Sequence, residues 1–238
     1  ANIVNIWAYD PDPALLPKDR TPETRYIAHC VRVINGASTP DLQIYNGRFI
    51  VEKDVLVEAD ADLEIYAPTA MTTKTNLIVN GSVTNNGKVG SEATYLQIKK
   101  DLINNKTFTS LDYTVLGNVA NATAGSINAL GTSTIGGNLT NDGYFWSKKT
   151  FTIGGNVTTA GTFTSVGDGN TVGGNFAQTA GTSKFDPKTT TTIEGKFSCT
   201  GGSFERLTVG GDEHRATVNV NELGELTGTT STAWPTEF

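Results

Sequence analysis

A short motif recurs seven times through the middle and C-terminal thirds of the chain. Each copy places an apolar residue, commonly two glycines, an asparagine and a second apolar residue in succession, as in IGGNL at residues 135–139. The copies begin 17 to 21 residues apart, at Val79, Ile98, Val115, Ile135, Ile153, Val172 and Ile193. Seven tandem copies at a near-constant spacing indicate a stacked repeat architecture.

The similarity between copies extends beyond the motif. A glycine follows about eight residues on, at Gly87, Gly125, Gly143, Gly161, Gly181 and Gly201. Two or three residues later comes an apolar side chain: Val89, Phe108, Ile127, Phe145, Phe163 and Phe204, with Thr182 in the Val172 copy. The abundant threonine and valine favour strands, whereas glycine and asparagine favour turns.

These features predict an all-β fold, a parallel β-helix (solenoid) with rungs of about 19 residues. The first apolar residue, the second glycine and the last apolar residue of the motif share parity, so we expect them on one face of a strand. Each copy is expected to hold two short strands, and stacking lets each copy bury its apolar side against the next. A β-sandwich of similar hairpins is the alternative, but the glycine pair and near-constant register argue against it.

Two columns of side chains are expected to run along the solenoid. The aromatic positions predict an internal column: Phe108, Phe145, Phe163 and Phe204. The motif asparagines predict a second column at a corner: Asn118, Asn138, Asn156 and Asn175. Asparagine tolerates left-handed backbone there, and stacked amides can hydrogen-bond along the axis.

The two ends of the chain differ from the repeat. We divide the chain into an N-terminal arm and leading strand (1–40), degenerate first rungs (41–76), a β-helix body (77–225) and a C-terminal tail (226–238). The arm is proline-rich and extended, and both ends carry large apolar groups. We expect these groups to form an interface with neighbouring subunits: Trp7, Tyr9, Leu15, Leu16, Trp234 and Phe238.

Residues 55–65 alternate cleanly and predict one strand with an acidic row, defined as Glu58, Asp60, Asp62 and Glu64. The simplest interpretation is a solvated strand face. A calcium site is the alternative, because hard cations bind several oxygen ligands. Neighbouring carboxylates on one strand face are about 7 Å apart, too far for one ion without another segment, so we expect no metal.

No motif for catalysis, nucleotide binding or a cofactor is present. His29 lies in a predicted strand, and His214 lies in a charged turn. Cys30 and Cys199 are too distant in sequence to suggest a disulfide framework, so we expect free thiols from a reducing cytoplasm. Two special functions are disfavoured. The repeat has few carboxylates for a carbohydrate-cleaving enzyme, and its Thr-x-Thr triplets do not recur in every rung, as an ice-binding face would require.

Net charge and hydropathy limit the classes of partner that we expect this chain to bind. The net charge is −6 and the lysine doublets Lys99–Lys100 and Lys148–Lys149 are isolated, so we expect no nucleic-acid binding. The sequence has no run of 18 apolar residues, so it predicts no membrane-spanning helix. The first residues show no basic segment followed by an apolar core, so we expect no signal peptide.

The Gly-Gly-Asn-apolar-Thr-x-x-Gly-x-apolar pattern of residues 77–206 resembles the short repeats of filamentous-haemagglutinin-type β-helices. A short β-helix with aromatic arms also resembles the head decoration (cement) and fibre proteins of tailed phages. That resemblance implies a structural, non-enzymatic virion protein, homotrimeric, that docks on a major capsid or other virion protein. A secreted or cell-surface adhesin and a polysaccharide-binding or polysaccharide-degrading tailspike are the alternatives.

Overall fold

The structure is a computed structural model that describes residues 25–36, 40–45, 48–66, 76–91, 95–186, 189–206, 217–227 and 229–230. Every regular element in these residues is a β-strand. In chain order the strands are β1 Arg25–Ala28, β2 Val31–Val33, β3 Leu42–Tyr45, β4 Arg48–Val51, β5 Val55–Val57, β6 Asp62–Tyr66, β7 Asn76–Val79, β8 Val83–Asn85, β9 Lys88–Ser91, β10 Tyr95–Ile98, β11 Leu102–Asn104, β12 Thr107–Ser110, β13 Tyr113–Val115, β14 Val119–Asn121, β15 Ser126–Ala129, β16 Ser133–Ile135, β17 Leu139–Asn141, β18 Tyr144–Ser147, β19 Phe151–Ile153, β20 Val157–Thr159, β21 Thr162–Ser165, β22 Asn170–Val172, β23 Phe176–Gln178, β24 Thr182–Phe185, β25 Thr190–Cys199, β26 Ser203–Arg206, β27 Thr217–Leu226 and β28 Thr229–Thr230.

Successive strands pass through three faces, and on each face the strands of neighbouring rungs pair in parallel. The first face holds β1, β4, β7, β10, β13, β16, β19, β22 and the first halves of β25 and β27. The second holds β2, β5, β8, β11, β14, β17, β20, β23 and the second halves of β25 and β27. The third is the ten-stranded sheet of β3, β6, β9, β12, β15, β18, β21, β24, β26 and β28. The predicted parallel β-helix is confirmed, but each rung has three strands and not two.

The repeated motif is a corner between two strands. β16 ends at Ile135, Gly136 to Asn138 make the turn, and Leu139 begins β17. Both apolar residues are buried, but they point inward from different faces. The expectation that the motif follows one strand face was wrong, because strand parity does not continue through a bend.

The corner asparagines form the predicted column. Asn118 Oδ1 accepts the backbone N–H of Asn138 at 2.9 Å, and Asn138 Oδ1 accepts that of Asn156 at 2.8 Å. The same bond links Asn156 to Asn175 at 2.8 Å. The amides therefore bond to the next backbone and not to each other. A Cβ on Gly155 would lie 2.4 Å from Asn138 Oδ1, so glycine before each asparagine leaves room for this bond.

Phenylalanine rings fill the centre of the body. Phe108, Phe145 and Phe163 are buried in the core, as predicted, and Phe204 packs against the same core at its C-terminal end, next to Phe185 and Phe197. Phe145 and Phe163 stack with ring centroids 4.9 Å apart. Such ring contacts stabilise the fold beyond the effect of the large apolar area that each ring removes from water.

On β24 a small and a large inward residue have exchanged positions relative to the preceding rung. The register places Ser183, not a phenylalanine, between Phe163 and Phe204. Phe185 occupies the inward position two residues later, which is Ser165 in the preceding rung. Its ring lies 5.8 Å from that of Phe163 and 5.2 Å from that of Phe204. The phenylalanine column thus continues from a different strand position.

A second asparagine column, which was not predicted from the sequence, lies inside the body at the corner between the second and third faces. Asn85 Nδ2 donates to Asn104 Oδ1 at 2.8 Å, and Asn104 Nδ2 donates to Asn121 Oδ1 at 2.7 Å. Asn121 Nδ2 donates to Asn141 Oδ1 at 2.7 Å, and Asn141 Nδ2 to Thr159 Oγ1 at 3.1 Å. These side chains are fully buried. They also donate to backbone carbonyls of the corner, which satisfies groups that water cannot reach.

Candidate functional site

The third face presents two outward columns, because each four-residue strand points alternate side chains out and in. The register aligns the first column as Thr107, Ser126, Tyr144, Thr162 and Thr182. It aligns the second as Thr109, Asn128, Trp146, Thr164 and Lys184. Apart from Lys184, the aligned residues of the neighbouring strands carry hydroxyl or amide groups, and β18 interrupts them with two aromatic rings.

The two rings stand on a well-anchored strand. Tyr144 is 39% exposed and Trp146 is half-buried, whereas the intervening Phe145 is fully buried in the phenylalanine stack. Ser147 is also buried, and its hydroxyl donates to the Lys149 carbonyl at 2.7 Å. The core thus fixes the strand, and the corner that follows it is closed by a hydrogen bond.

A lysine doublet directly follows the rings. Lys148 and Lys149 are exposed, and neither makes an ion pair with a described residue. The Asp168 carboxylate, on the next rung, accepts the backbone N–H groups of Gly169 at 2.8 Å and Thr190 at 2.7 Å. We call Tyr144, Trp146, Lys148 and Lys149 the aromatic–lysine strip. The lysine doublet was noted from the sequence, but its position next to two outward rings was not.

The acidic row is not one strand face. β5 ends at Val57 and β6 begins at Asp62. Between them Asp60 turns the chain with φ of 61°, in the left-handed region that aspartate tolerates. Asp62 is buried, whereas Asp60 is exposed. The predicted continuous strand was wrong, because this stretch contains a corner.

Three of the four carboxylates of the acidic row pair with residues of neighbouring rungs. Arg32 reaches Glu58 at 2.7 Å. Lys88 reaches Asp62 at 2.8 Å and Glu64 at 3.4 Å. The hydrogen bond that Lys88 donates to Asp62, more than the charge of that carboxylate, raises the pKa of Lys88, although partial burial acts to lower it. These cross-rung pairs give Glu58, Asp62 and Glu64 a structural role.

A cavity of about 260 Å³ lies beside this ion pair, lined by Asp60, Asp62, Lys88 and Lys106 among others. Asp62 Oδ1 is buried without a hydrogen-bond partner. Two lysines and two aspartates balance the charge of the lining, so its electrostatics favour neither an anion nor a cation.

Other predicted positions divide between described and undescribed residues. His29 is exposed and contacts Glu52 at 3.1 Å. Both cysteines are free, as predicted, and burial raises the pKa of the Cys199 thiol. His214 and all six predicted interface residues, Trp7, Tyr9, Leu15, Leu16, Trp234 and Phe238, lie outside the described residues.

The Thr-x-Thr triplets belong to different faces. Thr107–Thr109 and Thr162–Thr164 lie on the third face, whereas Thr150–Thr152 lies on the first. The first face instead carries one aligned column: Thr114, Thr134, Thr152, Thr171 and Thr192. The face that holds both aromatic rings is thus not a uniform threonine array.

Comparison with known proteins gives no assignment: no family model, curated protein or solved structure matches this chain significantly. The resemblance to β-helical virion and haemagglutinin-type repeats is therefore supported at the level of the parallel β-helix alone. Within the described ranges there is no helix long and apolar enough to cross a membrane.

Proposed function

We propose that this protein is a non-enzymatic structural protein of a bacterial virus, which decorates or cements the capsid or forms a fibre shaft. The observation that carries the proposal is the axial continuity of the body. Each rung from β8 to β20 is joined to the next by parallel strands, by a corner side chain and by the buried asparagine column. Bonds in series along one axis suit a protein that transmits or resists force.

The proposed mechanism is mechanical. The body supplies a rigid module, and the residues at both ends dock on neighbouring subunits and on a capsid or other virion protein. Docking that joins partners stabilises the assembled state by mass action. A homotrimer in the virion, made in the host cytoplasm, is the expected form.

The test is the solution mass of the full chain and of a trimmed chain spanning residues 25–230, which keeps every described strand. A stable trimer that becomes a monomer on trimming supports assembly through the ends. Circular dichroism of both chains confirms that the body stays folded. A monomer in both forms would refute self-assembly and would favour the alternative function, a cell-surface adhesin.

A further inference from the structure

We infer that the aromatic–lysine strip on the third face binds an acidic polysaccharide, a chain of sugars that carry carboxylates. The rings of Tyr144 and Trp146 would support two sugar faces, and Lys148 and Lys149 would pair with carboxylates. This inference is separate from the structural role proposed above, because it concerns a ligand and not a subunit contact.

The rings suit a sugar because of their shape and charge distribution. The face of an aromatic ring is electron-rich and attracts the weakly positive C–H groups that cover one side of a pyranose. Outward side chains two residues apart on a strand are about 7 Å apart. Tyr144 and Trp146 can therefore contact neighbouring units of one chain that runs along β18.

The groups around the rings suit hydroxyls. The register places Ser126 and Thr162 beside Tyr144, and Asn128 beside Trp146, each about 4.8 Å away along the axis. Thr164, on the other side of Trp146, is buried. Asn128 Nδ2 donates to Ser126 Oγ at 3.1 Å, which orients both side chains before any ligand binds. Neutral donors and acceptors that flank an aromatic platform are the polar groups that fix the orientation of a polyol.

Charge complementarity favours an acidic ligand over a neutral one. The protein has a net charge of −6, yet the C-terminal end of β18 carries two exposed lysines with no ion pair among described residues. On residues 133–149 the opposing charge is Asp142, beyond the other end of the strand. Asp112 and Asp168, at the corners of nearby rungs, accept backbone N–H groups. A single-stranded nucleic acid also carries one charge per unit, so the hydroxyl-binding groups beside the rings, and not the charge, favour the sugar chain.

The test measures binding of the full chain to polygalacturonate, alginate and hyaluronan by calorimetry, with methyl-esterified polygalacturonate as the matched neutral ligand. Trp146→Ala is expected to weaken binding by about tenfold, because a stacking surface is lost. The double variant Lys148→Gln/Lys149→Gln is expected to remove the preference for the acid over its ester. It should also reduce the salt dependence of binding.

Two control variants separate the strip from the rest of the surface. Lys99→Gln/Lys100→Gln removes another exposed lysine doublet, which has no outward aromatic pair on the strand before it. Ile103→Ala removes an exposed apolar side chain from the second face. Both should bind like the parent chain, and thermal melts should show that all four variants fold.

Three results would overturn the inference. One is no binding to any of the three acidic polysaccharides. Another is equal weakening by the strip and control variants. The third is tighter binding of a single-stranded oligonucleotide than of the sugars. None of these bears on the structural proposal, which the solution mass tests.

Discussion

Asn121 sits where water cannot reach, and its side chain bonds in both directions along the solenoid. It accepts from Asn104 Nδ2 at 2.7 Å, and donates to Asn141 Oδ1 at 2.7 Å and to the Tyr144 carbonyl at 3.0 Å. Asn121→Ala would leave these buried partners unsatisfied, so we expect the free energy of unfolding to fall by about 2–4 kcal/mol. Urea denaturation measures the loss.

Asn138 is the matched control, because it forms a similar axial bond at an exposed corner. Its Oδ1 accepts the Asn156 N–H at 2.8 Å, but water can replace that bond when the side chain is removed. Asn138→Ala should therefore cost about 0.5–1 kcal/mol. Equal losses from the two variants would show that burial of the inner column adds nothing to stability.

Tyr113 makes the stability of the body sensitive to alkaline pH. Burial, only partly offset by the nearby Ser133, raises the pKa of Tyr113 above its ordinary value of 10.0. Its contribution to stability is present below pH 10 and is lost as the pH rises further, because the unfolded chain ionises first. The same inward column holds Phe151, so Tyr113→Phe should fit and should flatten the decline of Tm above about pH 10. An unchanged alkaline decline would contradict this.

At the scale of the rung, the Gly-Gly-Asn corner depends on close approach between neighbouring turns. A Cβ on Gly155 would lie 2.4 Å from Asn138 Oδ1 and 2.8 Å from the Gly137 carbonyl. Gly155→Ala should therefore destabilise the body by about 1–3 kcal/mol. Gly90→Ala on β9 is the control, since its nearest neighbour would be Glu64 Cγ at 3.8 Å. Thermal melts of both variants distinguish a specific corner requirement from a general effect of removing glycine.

The exchange of Ser183 and Phe185 on β24 predicts a compensating pair. Phe185→Ser alone leaves a cavity and should cost about 3–5 kcal/mol, and Ser183→Phe alone overfills the core. Together they restore the arrangement of β21, where the phenylalanine precedes the serine by two residues. The double variant should regain at least half of the stability lost by Phe185→Ser, as measured in a double-mutant cycle. Additive losses would mean that the two positions are not interchangeable.

The sequence predicts the solenoid, the corner asparagines and the phenylalanine column, because each depends on a repeat whose residue types are specific. The buried asparagine column left a signal that was overlooked. A polar residue, or Cys199, follows the start of every motif by six positions, as at Asn85, Asn104, Asn121 and Asn141. The third strand of each rung was not predicted, because the alternation of side chains along a strand was assumed to continue through a corner. The residues of the aromatic–lysine strip stand together in the sequence, but only the register shows which groups flank Tyr144 and Trp146.

At the scale of the whole molecule, two parts of the body are held together differently. In the N-terminal rungs the position of the buried asparagines is taken by Val33 and Val57. There the side-chain links between rungs include exposed ion pairs, such as Arg32 with Glu58. Exposed pairs contribute little to stability. The central rungs instead combine buried amides with stacked rings, so we expect stability to rise toward the centre.

Amide hydrogen exchange of the full chain tests this gradient. In a solenoid each rung contacts only its neighbours, so local opening should start where the links are weakest. We expect the slowest exchange in β16 to β21, around Phe145, Phe151 and Phe163, and faster exchange in β1 to β5. Asn121→Ala should then raise exchange rates in the adjoining β11 and β17 before it affects β23. Uniform protection, or a uniform response to the substitution, would instead mean that the body opens as one cooperative unit, and axial links between neighbours would not set its local stability.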